Sequence, residues 1–357
     1  MEKVLMCMSG GVDSSTAASM LVDKGYDVVG INLKLMDSQG DQESKSCCSL
    51  DDVEDARNSA FKLNIPFYVL NMKKHFNDKV IKHFINSYKA GLTPNPCIEC
   101  NRHIKFDEVF KKADQLGIKY IATGHYAKVE YDDSLGKHVL RKAEDRLKDQ
   151  TYFLYMLKQE QLKRLLLPLG NYKKSEVRKI AKDNNFRNHQ KPDSQDLCFV
   201  KNKNYGEFIE EKTGREKEGD ILDRESKILG KHKGLSRYTI GQRKGLNISN
   251  GYPMYVLEKN KDKNQIIVGS KNERFRRKFI VKDINYMYIN DIPEEYLAKV
   301  KIRYSKREEN AIIKKINDSI ASVEFIKPQP DITPGQGAVF YIDENVVGGG
   351  IINKVIK

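Results

Sequence analysis

The sequence predicts an α/β protein. A doubly wound parallel sheet covers residues 1–204, a small β-rich central domain 205–270 and a C-terminal β-barrel 271–357. Three observations carry this reading. Strand-like apolar runs alternate with helical patterns through the first part of the chain, the order that builds a parallel sheet with helices on both faces. A glycine-rich turn, Ser9-Gly10-Gly11, separates the first strand-like run from the first helical one. Beyond about residue 205, helical periodicity fades and short strands with Gly and Asn turns take over, as in small barrels.

The elements follow in order. Val4-Leu5-Met6-Cys7-Met8 reads as a buried strand, and Thr16 to Val22 as the helix after the turn. Asp27 to Leu33 forms a second strand, Asp51 to Leu63 a polar-faced helix and Pro66 to Leu70 a third strand. Phe106 to Leu116 is helical, and Tyr120-Ile121-Ala122-Thr123 is a fourth strand. In such sheets ligands bind at the carboxyl ends of the strands. The turn after the first strand, Leu33, the Cys97 region and Thr123-Gly124-His125 all fall there. In the β-rich part, strands are expected around Tyr255-Val256-Leu257, Gln265–Gly269, Ala298–Tyr304, Ala321–Phe325 and Ala338–Tyr341.

The stretch Ser9-Gly10-Gly11-Val12-Asp13-Ser14-Ser15 carries the most chemistry. A Gly-rich turn beside a helix N-terminus exposes backbone N–H groups to a phosphate chain. Gly10 and Gly11 permit close approach, Ser9, Ser14 and Ser15 add hydroxyl donors, and Asp13 suits Mg²⁺ or a ribose. No Gly-Lys-Ser/Thr ends the motif, so it is not a Walker A loop. It resembles the PP-loop of ATP pyrophosphatases, which split ATP into AMP and pyrophosphate while adenylating a substrate. The plainer alternative is an ordinary strand–turn–helix corner.

The chain has 357 residues, 39% of them hydrophobic, enough for more than one core. No apolar run approaches a membrane span, so no membrane partner is expected. The sequence enters a strand directly, without a basic leader, cleavage site or transit segment, which points to the cytoplasm. Its net charge of +14 favours a polyanionic partner such as nucleic acid, with a Lys-rich proteome as the alternative source.

The six cysteines, at 7, 47, 48, 97, 100 and 198, are too few to staple a chain of this size. Cys97 and Cys100 form a C-x-x-C pair within Thr93–Phe106, close to Arg102, His103 and Lys105, whose charges favour thiolates. Cys198 lies in Asp193–Phe199, far along the chain. Four readings stay open on residues alone: a zinc site, inert buried thiols, a persulfide relay, and an iron–sulfur cluster held by three cysteines. Cys47-Cys48 reads as a mobile loop with incidental thiols, with redox partners or extra metal ligands as the alternative. Cys7 reads as core.

The chain as a whole resembles the tRNA-specific 2-thiouridylase family, nearly end to end. The resemblance is carried by Ser9–Ser15, Thr93–Phe106, Ala122–Ala127, Lys148-Asp149-Gln150-Thr151-Tyr152, Asp193–Phe199, Ser236–Gly245, Arg303-Tyr304 and Thr333-Pro334-Gly335-Gln336. It implies an ATP-dependent sulfurtransferase. Such an enzyme adenylates the C2 oxygen of a tRNA wobble uridine, then replaces that oxygen with sulfur to give 2-thiouridine, releasing AMP and pyrophosphate. By the same resemblance, ATP with Mg²⁺ would sit on Cys7, Met8, Ser9, Gly10, Gly11, Val12, Asp13, Ser14, Leu33 and Gly124. Asn95, Pro96 and Cys97 would line the target-base pocket. His125, Lys148, Asp149, Gln150, Arg303, Tyr304 and Gln336 would contact tRNA.

The catalytic residues implied are Cys198, which would carry sulfur as a persulfide, and Cys100, which would attack and become disulfide-bonded to it. Many family members have Asp where this chain has Cys97, so the acid/base role of that carboxylate lacks a carrier here. With Cys97 present, Cys97, Cys100 and Cys198 also form the candidate ligand set of an iron–sulfur cluster (4Fe–4S), and both schemes stay open. The implied partners are the Lys, Glu and Gln tRNA isoacceptors and a sulfur donor, either a cysteine desulfurase or a relay protein; a monomer is expected. The basic run Arg274–Lys278 remains unassigned. An amidating PP-loop ligase would leave the distant cysteines and the barrel unexplained, and a non-catalytic RNA-binding or redox-sensing protein would tolerate a degraded loop.

Overall fold

The computed structural model describes residues 1–37, 50–193, 197–200, 204–248, 251–287 and 293–356. Cys47 and Cys48 lie outside them. Strand β1 (Lys3–Cys7) leads through the glycine turn into helix α1 (Val12–Asp23), followed by β2 (Asp27–Lys34), α2 (Leu50–Lys62), β3 (Phe67–Asn71) and β4 (Tyr120–Ala122). Val4, Leu5 and Met6 are wholly buried, because a strand covered on both faces needs a continuous apolar run. The sheet is parallel, in the order β3-β2-β1-β4 with a fifth strand, β7 (Leu165–Leu166), beyond β4. Two residues leave too short a pattern for β7 to be read from sequence. The chain runs outward from β1 to β3, then returns to the other side of β1 with β4. The switch point therefore falls between β1 and β4, the place where such sheets bind ligands.

Two local expectations need correction. The helix read over Phe106–Leu116 begins earlier, as Pro96–Glu99 continuing into a π-helical stretch, Cys100–Glu108, before Val109–Gln115. Polar residues between Cys97 and Lys105 hide the helical period there, and π-helical turns concentrate at functional sites. The strand read over 298–304 runs over Glu295–Lys301, so Arg303 and Tyr304 lie in the turn beyond it.

The central part forms a four-stranded sheet of β8 (Gly219–Leu222), β9 (Ile228–His232), β10 (Tyr255–Asn260) and β11 (Gln265–Gly269). It has its own apolar cluster, with Ile221, Val256, Ile266 and Val268 at its centre. The C-terminal part closes into a six-stranded barrel of β12 (Phe275–Tyr286), β13 (Glu295–Lys301), β14 (Glu309–Asn317), β15 (Ile320–Pro330), β16 (Gly337–Ile342) and β17 (Asn345–Ile356), sealed by the β12–β17 pairing.

The boundary between the first and last parts is less sharp than the sequence suggests. A hairpin inside residues 1–204, β5 (Lys128–Asp132) and β6 (Lys137–Arg141), pairs with β17 and so belongs to the barrel's sheet. One apolar core also runs from Leu5, Ile31 and Phe106 to Phe279, Val323 and Phe340. Each large side chain buried in it stabilises the fold by about 1.5–3 kcal/mol. Tyr152 and Tyr155 donate across this junction to the carbonyls of Gly337 (3.1 Å) and Gly350 (3.3 Å).

Candidate active site

The loop after β1 is shaped by its own hydrogen bonds. Ser9 N–H donates to Ser14 Oγ (3.1 Å), and Ser14 Oγ donates to the Gly11 carbonyl (3.0 Å). Ser14 is buried and its hydroxyl folds the loop, while Ser9 stands exposed at the mouth. Gly10 has φ +82°, and a Cβ there would lie 2.1 Å from the Asp52 carbonyl oxygen, so only glycine fits. Gly11 caps α1 with extended backbone and no side-chain cap bond, leaving the helix N-terminus open to an anion. From across the crevice Gly124 packs so closely that its Cβ would stand 2.9 Å from Asp13 C and Ser14 N. These close approaches make a backbone cradle that fits a polyphosphate.

The other residues assigned to the nucleotide take distinct places. Met8 is buried, its N–H bonded to Ile31 O (2.7 Å) and its carbonyl to Asn32 Nδ2 (2.8 Å). Val12 packs with Ala181 and Phe186. Burial pushes the Cys7 thiol up to about 12, against the pull of Lys105, so it stays protonated. Leu33 closes the end of β2, packed against two apolar clusters.

Asp13 is held by three bonds. Both its carboxylate oxygens accept from Lys174 Nζ at 2.7 Å, and Tyr126 OH donates to Oδ1 at 2.7 Å. Asn188 braces the loop from behind, donating to Gly10 O (2.9 Å) and Ser15 Oγ (3.0 Å). Sequence reading missed Lys174, Tyr126 and Asn188 as parts of the site. Tyr126 lay within a stretch that carried the resemblance, but Lys174 and Asn188 belong to no motif.

The cysteine loop is built from its prolines and a cap. Asn95 Oδ1 accepts from Cys97 N–H (3.1 Å), with Pro96 at the first helical position. Cys97 is half-buried and outside the apolar clusters, whereas Cys100, 8% exposed, sits in a cluster with Leu35, Phe76, Phe84, Ile104 and Phe199. Cys198 packs against that same cluster. The fold thus places Cys100 in, and Cys198 against, one apolar cluster beside the end of β2, although they come from distant parts of the sequence. None of the four described cysteines is in a disulfide. Among the described residues no three His, Cys, Asp or Glu side chains are grouped to hold a metal ion. Cys97 and Cys100 lie three residues apart on one continuous helical stretch, and Cys198 packs against the apolar cluster that holds Cys100.

On the helical stretch that Cys100 opens, His103 is clamped between Asp107 (3.3 Å) and Glu99 (3.3 Å), one turn away on either side. The bonds to Asp107 and Glu99 raise its pKa to about 9 against burial. His103 is consequently a fixed positive charge near Cys100 at neutral pH. Its stabilising contribution is complete below the ordinary value of 6.5 and is lost as pH rises through about 9. An NMR titration should place its midpoint near 9, and a midpoint at 6.5 would remove the clamp.

The residues assigned to tRNA fall into two groups. Lys148 (Nζ to Asp193 Oδ2, 2.8 Å) and Tyr304, 38% exposed with its ring 4.5 Å from that of Phe153, reach the surface. The others support the site from within. His125 is 8% exposed, bonds Thr123 Oγ1 at 2.8 Å, and is kept neutral by burial and by Lys105. Asp149 is buried, accepting from Ala143 N–H (3.0 Å) and Thr151 Oγ1 (2.6 Å). Gln150 accepts from Tyr126 N–H (3.0 Å). Arg303 donates to Ile240 O (2.8 Å) and to Thr333 Oγ1, while its Nε is buried without a partner. Gln336 donates to Thr93 O (2.8 Å) and Thr93 N–H to Pro334 O (2.9 Å), so a barrel turn clamps the loop that leads to Cys97.

A backbone cradle at the switch point of a parallel sheet, with an acidic residue on its helix, defines an ATP-binding domain of the PP-loop class. The family models bear on the same region and beyond: one described as tRNA methyl transferase HUP domain matches residues 2–202, one described as tRNA methyl transferase PRC-barrel domain matches 206–270, and one described as aminomethyltransferase beta-barrel domain matches 276–352. A tRNA-specific 2-thiouridylase of Clostridioides difficile is 48% identical over 355 residues, covering 99% of this chain and 98% of that protein. One of Halothermothrix orenii is 48% identical over 357 residues, covering 99% of each. Among solved structures, a 4-thiouridine synthetase–RNA complex with bound ATP aligns with 59% of this chain and 50% of that one, at 17% identity and a TM-score of 0.36, too slight a likeness to build on. The chain belongs to the tRNA-specific 2-thiouridylase family.

Proposed function

We propose that this protein is an ATP-dependent tRNA-uridine 2-sulfurtransferase acting on the wobble base of the Lys, Glu and Gln isoacceptors. The observation that supports the reading is that Cys100 lies in, and Cys198 packs against, one apolar cluster beside the strand end at Leu33, next to the nucleotide cradle. ATP takes the cradle, with Mg²⁺ balancing its charge and Asp13 as the acidic group at hand. The C2 oxygen of the uridine attacks the α-phosphate and pyrophosphate leaves. This turns a carbonyl oxygen, a poor leaving group, into AMP, a good one.

Cys198 holds the incoming sulfur as a persulfide, loaded by a cysteine desulfurase or a relay. The Cys100 thiolate attacks the Cys198 sulfur and forms the Cys100–Cys198 disulfide, and the terminal sulfur leaves as hydrosulfide. Hydrosulfide adds at C2, AMP departs with the original oxygen, and a proton is released. An external thiol then reduces the disulfide. Thiolate character is needed at Cys100, and the charge of His103 on the same helical stretch supports it. An apolar pocket serves this chemistry by keeping water from the activated base. Asn95, Pro96 and Cys97 line the approach of the base, which must leave its stack to arrive. The carboxylate that many relatives carry at position 97 is absent, and no described side chain beside Cys97 is assigned its role.

The basic charge suits the tRNA partner. Among the described residues no helix is long and apolar enough to cross a membrane. The reading is tested by AMP release. AMP should appear from ATP only when unmodified tRNA is added; release that is indifferent to tRNA would contradict it.

A further inference from the structure

We propose that Lys259 is a positioning residue for sulfur transfer: from the central sheet it fixes the Leu92–Thr93 segment that sets the place of Cys97 and Cys100; this rests on the sulfurtransferase reading above. Lys259 lies near the end of β10, yet its ammonium reaches beyond its own sheet. It donates to the carbonyls of Tyr238 (3.0 Å) and Leu92 (3.4 Å) and stands 5.5 Å from the centre of the Tyr88 ring. Tyr238 belongs to the central part, whereas Tyr88 and Leu92 mark the end of the helix Lys82–Lys89 in the N-terminal part.

Burial lowers the Lys259 pKa to about 8, with Glu216 pulling the other way. Among the described residues no carboxylate bonds to its ammonium; two carbonyls and a ring replace its water. An unbranched apolar side chain would fill the space without that cost. What the charge adds is its grip on the carbonyls.

The segment it grips has its other backbone groups engaged as well. Leu92 N–H donates to Ser87 O (3.0 Å) and closes the helix, Thr93 N–H donates to Pro334 O (2.9 Å), and Thr93 O accepts from Gln336 (2.8 Å). The barrel therefore holds Thr93 and the central sheet holds Leu92, so the segment is in place only when all three parts of the chain are seated. Two residues on, Asn95 caps the helical stretch that carries Cys97 and Cys100. Pro94 and Pro96 stiffen the connection, so a shift at Leu92 passes to the thiols instead of being absorbed between.

The test compares the full-length protein with its Lys259→Met and Lys259→Arg variants. Amide hydrogen exchange is followed over residues 92–100, with residues 9–15 as the internal reference, and turnover to 2-thiouridine supplies kcat and the KM for tRNA. Lys259→Met should speed exchange at Thr93 and Cys97 about tenfold and leave residues 9–15 unchanged. It should lower kcat roughly tenfold to a hundredfold, the usual consequence of a misplaced reacting group, with the KM for tRNA within about twofold. Lys259→Arg keeps a charged donor and should recover most of both. Unchanged exchange over 92–100, an unchanged kcat, or a loss confined to KM would overturn the assignment. Faster exchange over both stretches alike would overturn it too, and would make Lys259 a general brace. Should Lys259→Met fail to fold, Lys259→Gln, uncharged but polar, gives the same comparison. A wild-type protein that forms no 2-thiouridine would sink the sulfurtransferase reading itself. Normal wild-type turnover with an indifferent Lys259→Met sinks only this inference.

Discussion

Cys198→Ala and Cys100→Ala should each lower 2-thiouridine formation on the order of 10³-fold or more, the scale seen when a nucleophile is removed. The two should nonetheless fail differently. Without Cys198 there is nowhere to load sulfur, so no persulfide accumulates. Without Cys100 the persulfide on Cys198 forms but is not released. Either change removes one sulfur from the cluster around Phe84 and Phe199, a loss of roughly 1 kcal/mol of packing that leaves the fold standing. Tyr304 and Lys148, the surface-reaching residues assigned to tRNA, are untouched, so tRNA affinity should remain within about twofold. Mass spectrometry of the protein after exposure to a persulfide donor reads the first difference, and a gel-shift assay reads the second. Substantial thiolation by either variant would remove that cysteine from the reaction.

Gly10→Ala is the second change of large effect. The backbone there is left-handed at φ +82°, which costs an L-residue roughly 1–2 kcal/mol. Its Cβ would also stand 2.1 Å from Asp52 O, a backbone atom that cannot rotate away. Relieving that overlap adds about 1–3 kcal/mol of overpacking. We expect a total loss of roughly 3 kcal/mol and a collapse of ATP affinity, because the loop must shift relative to α2. Gly11 supplies the control. Its φ is −82° and its Cβ would meet nothing nearer than Ser9 Oγ at 3.6 Å, so Gly11→Ala should leave the melting temperature nearly unchanged. A Gly10→Ala protein as stable as Gly11→Ala would contradict the packing account.

The contrast between these glycines shows what the sequence could and could not disclose. Strand β1, the glycine turn and α1 were legible because a buried parallel strand, a turn and a helix each leave a distinct local pattern. Leu33 and Gly124 were legible because strand ends in a doubly wound sheet converge. The π-helical stretch over Cys100–Glu108 was hidden because polar residues, Asn101, Arg102, His103 and Lys105, interrupt its apolar period. Hairpin β5–β6 was hidden because its partner strand, β17, lies at the far end of the chain. His125 and Asp149 are polar types that suit a surface, and only the packed structure shows them inside, each satisfied by a neighbour two residues away.

The cysteines assigned to the candidate site illustrate the same limit. C-x-x-C spacing marks Cys97 and Cys100 as neighbours on one helical stretch, whereas the placing of Cys198 against the apolar cluster that holds Cys100 is visible only in the fold. Pairings across long sequence separation are set by the tertiary fold, and local patterns do not encode them. The same holds for Asp13 and Lys174, which no motif links and a 2.7 Å contact does.

The central claim is that ATP activates the C2 oxygen of a tRNA uridine and that this oxygen leaves as part of AMP. It is tested most directly with tRNA carrying a heavy-oxygen label at C2 of the wobble uridine, incubated with the protein, ATP and a persulfide donor. The account predicts that the label emerges in the phosphate of AMP, one-for-one with 2-thiouridine formed. Label released to water, or 2-thiouridine formed with unlabelled AMP, would contradict it.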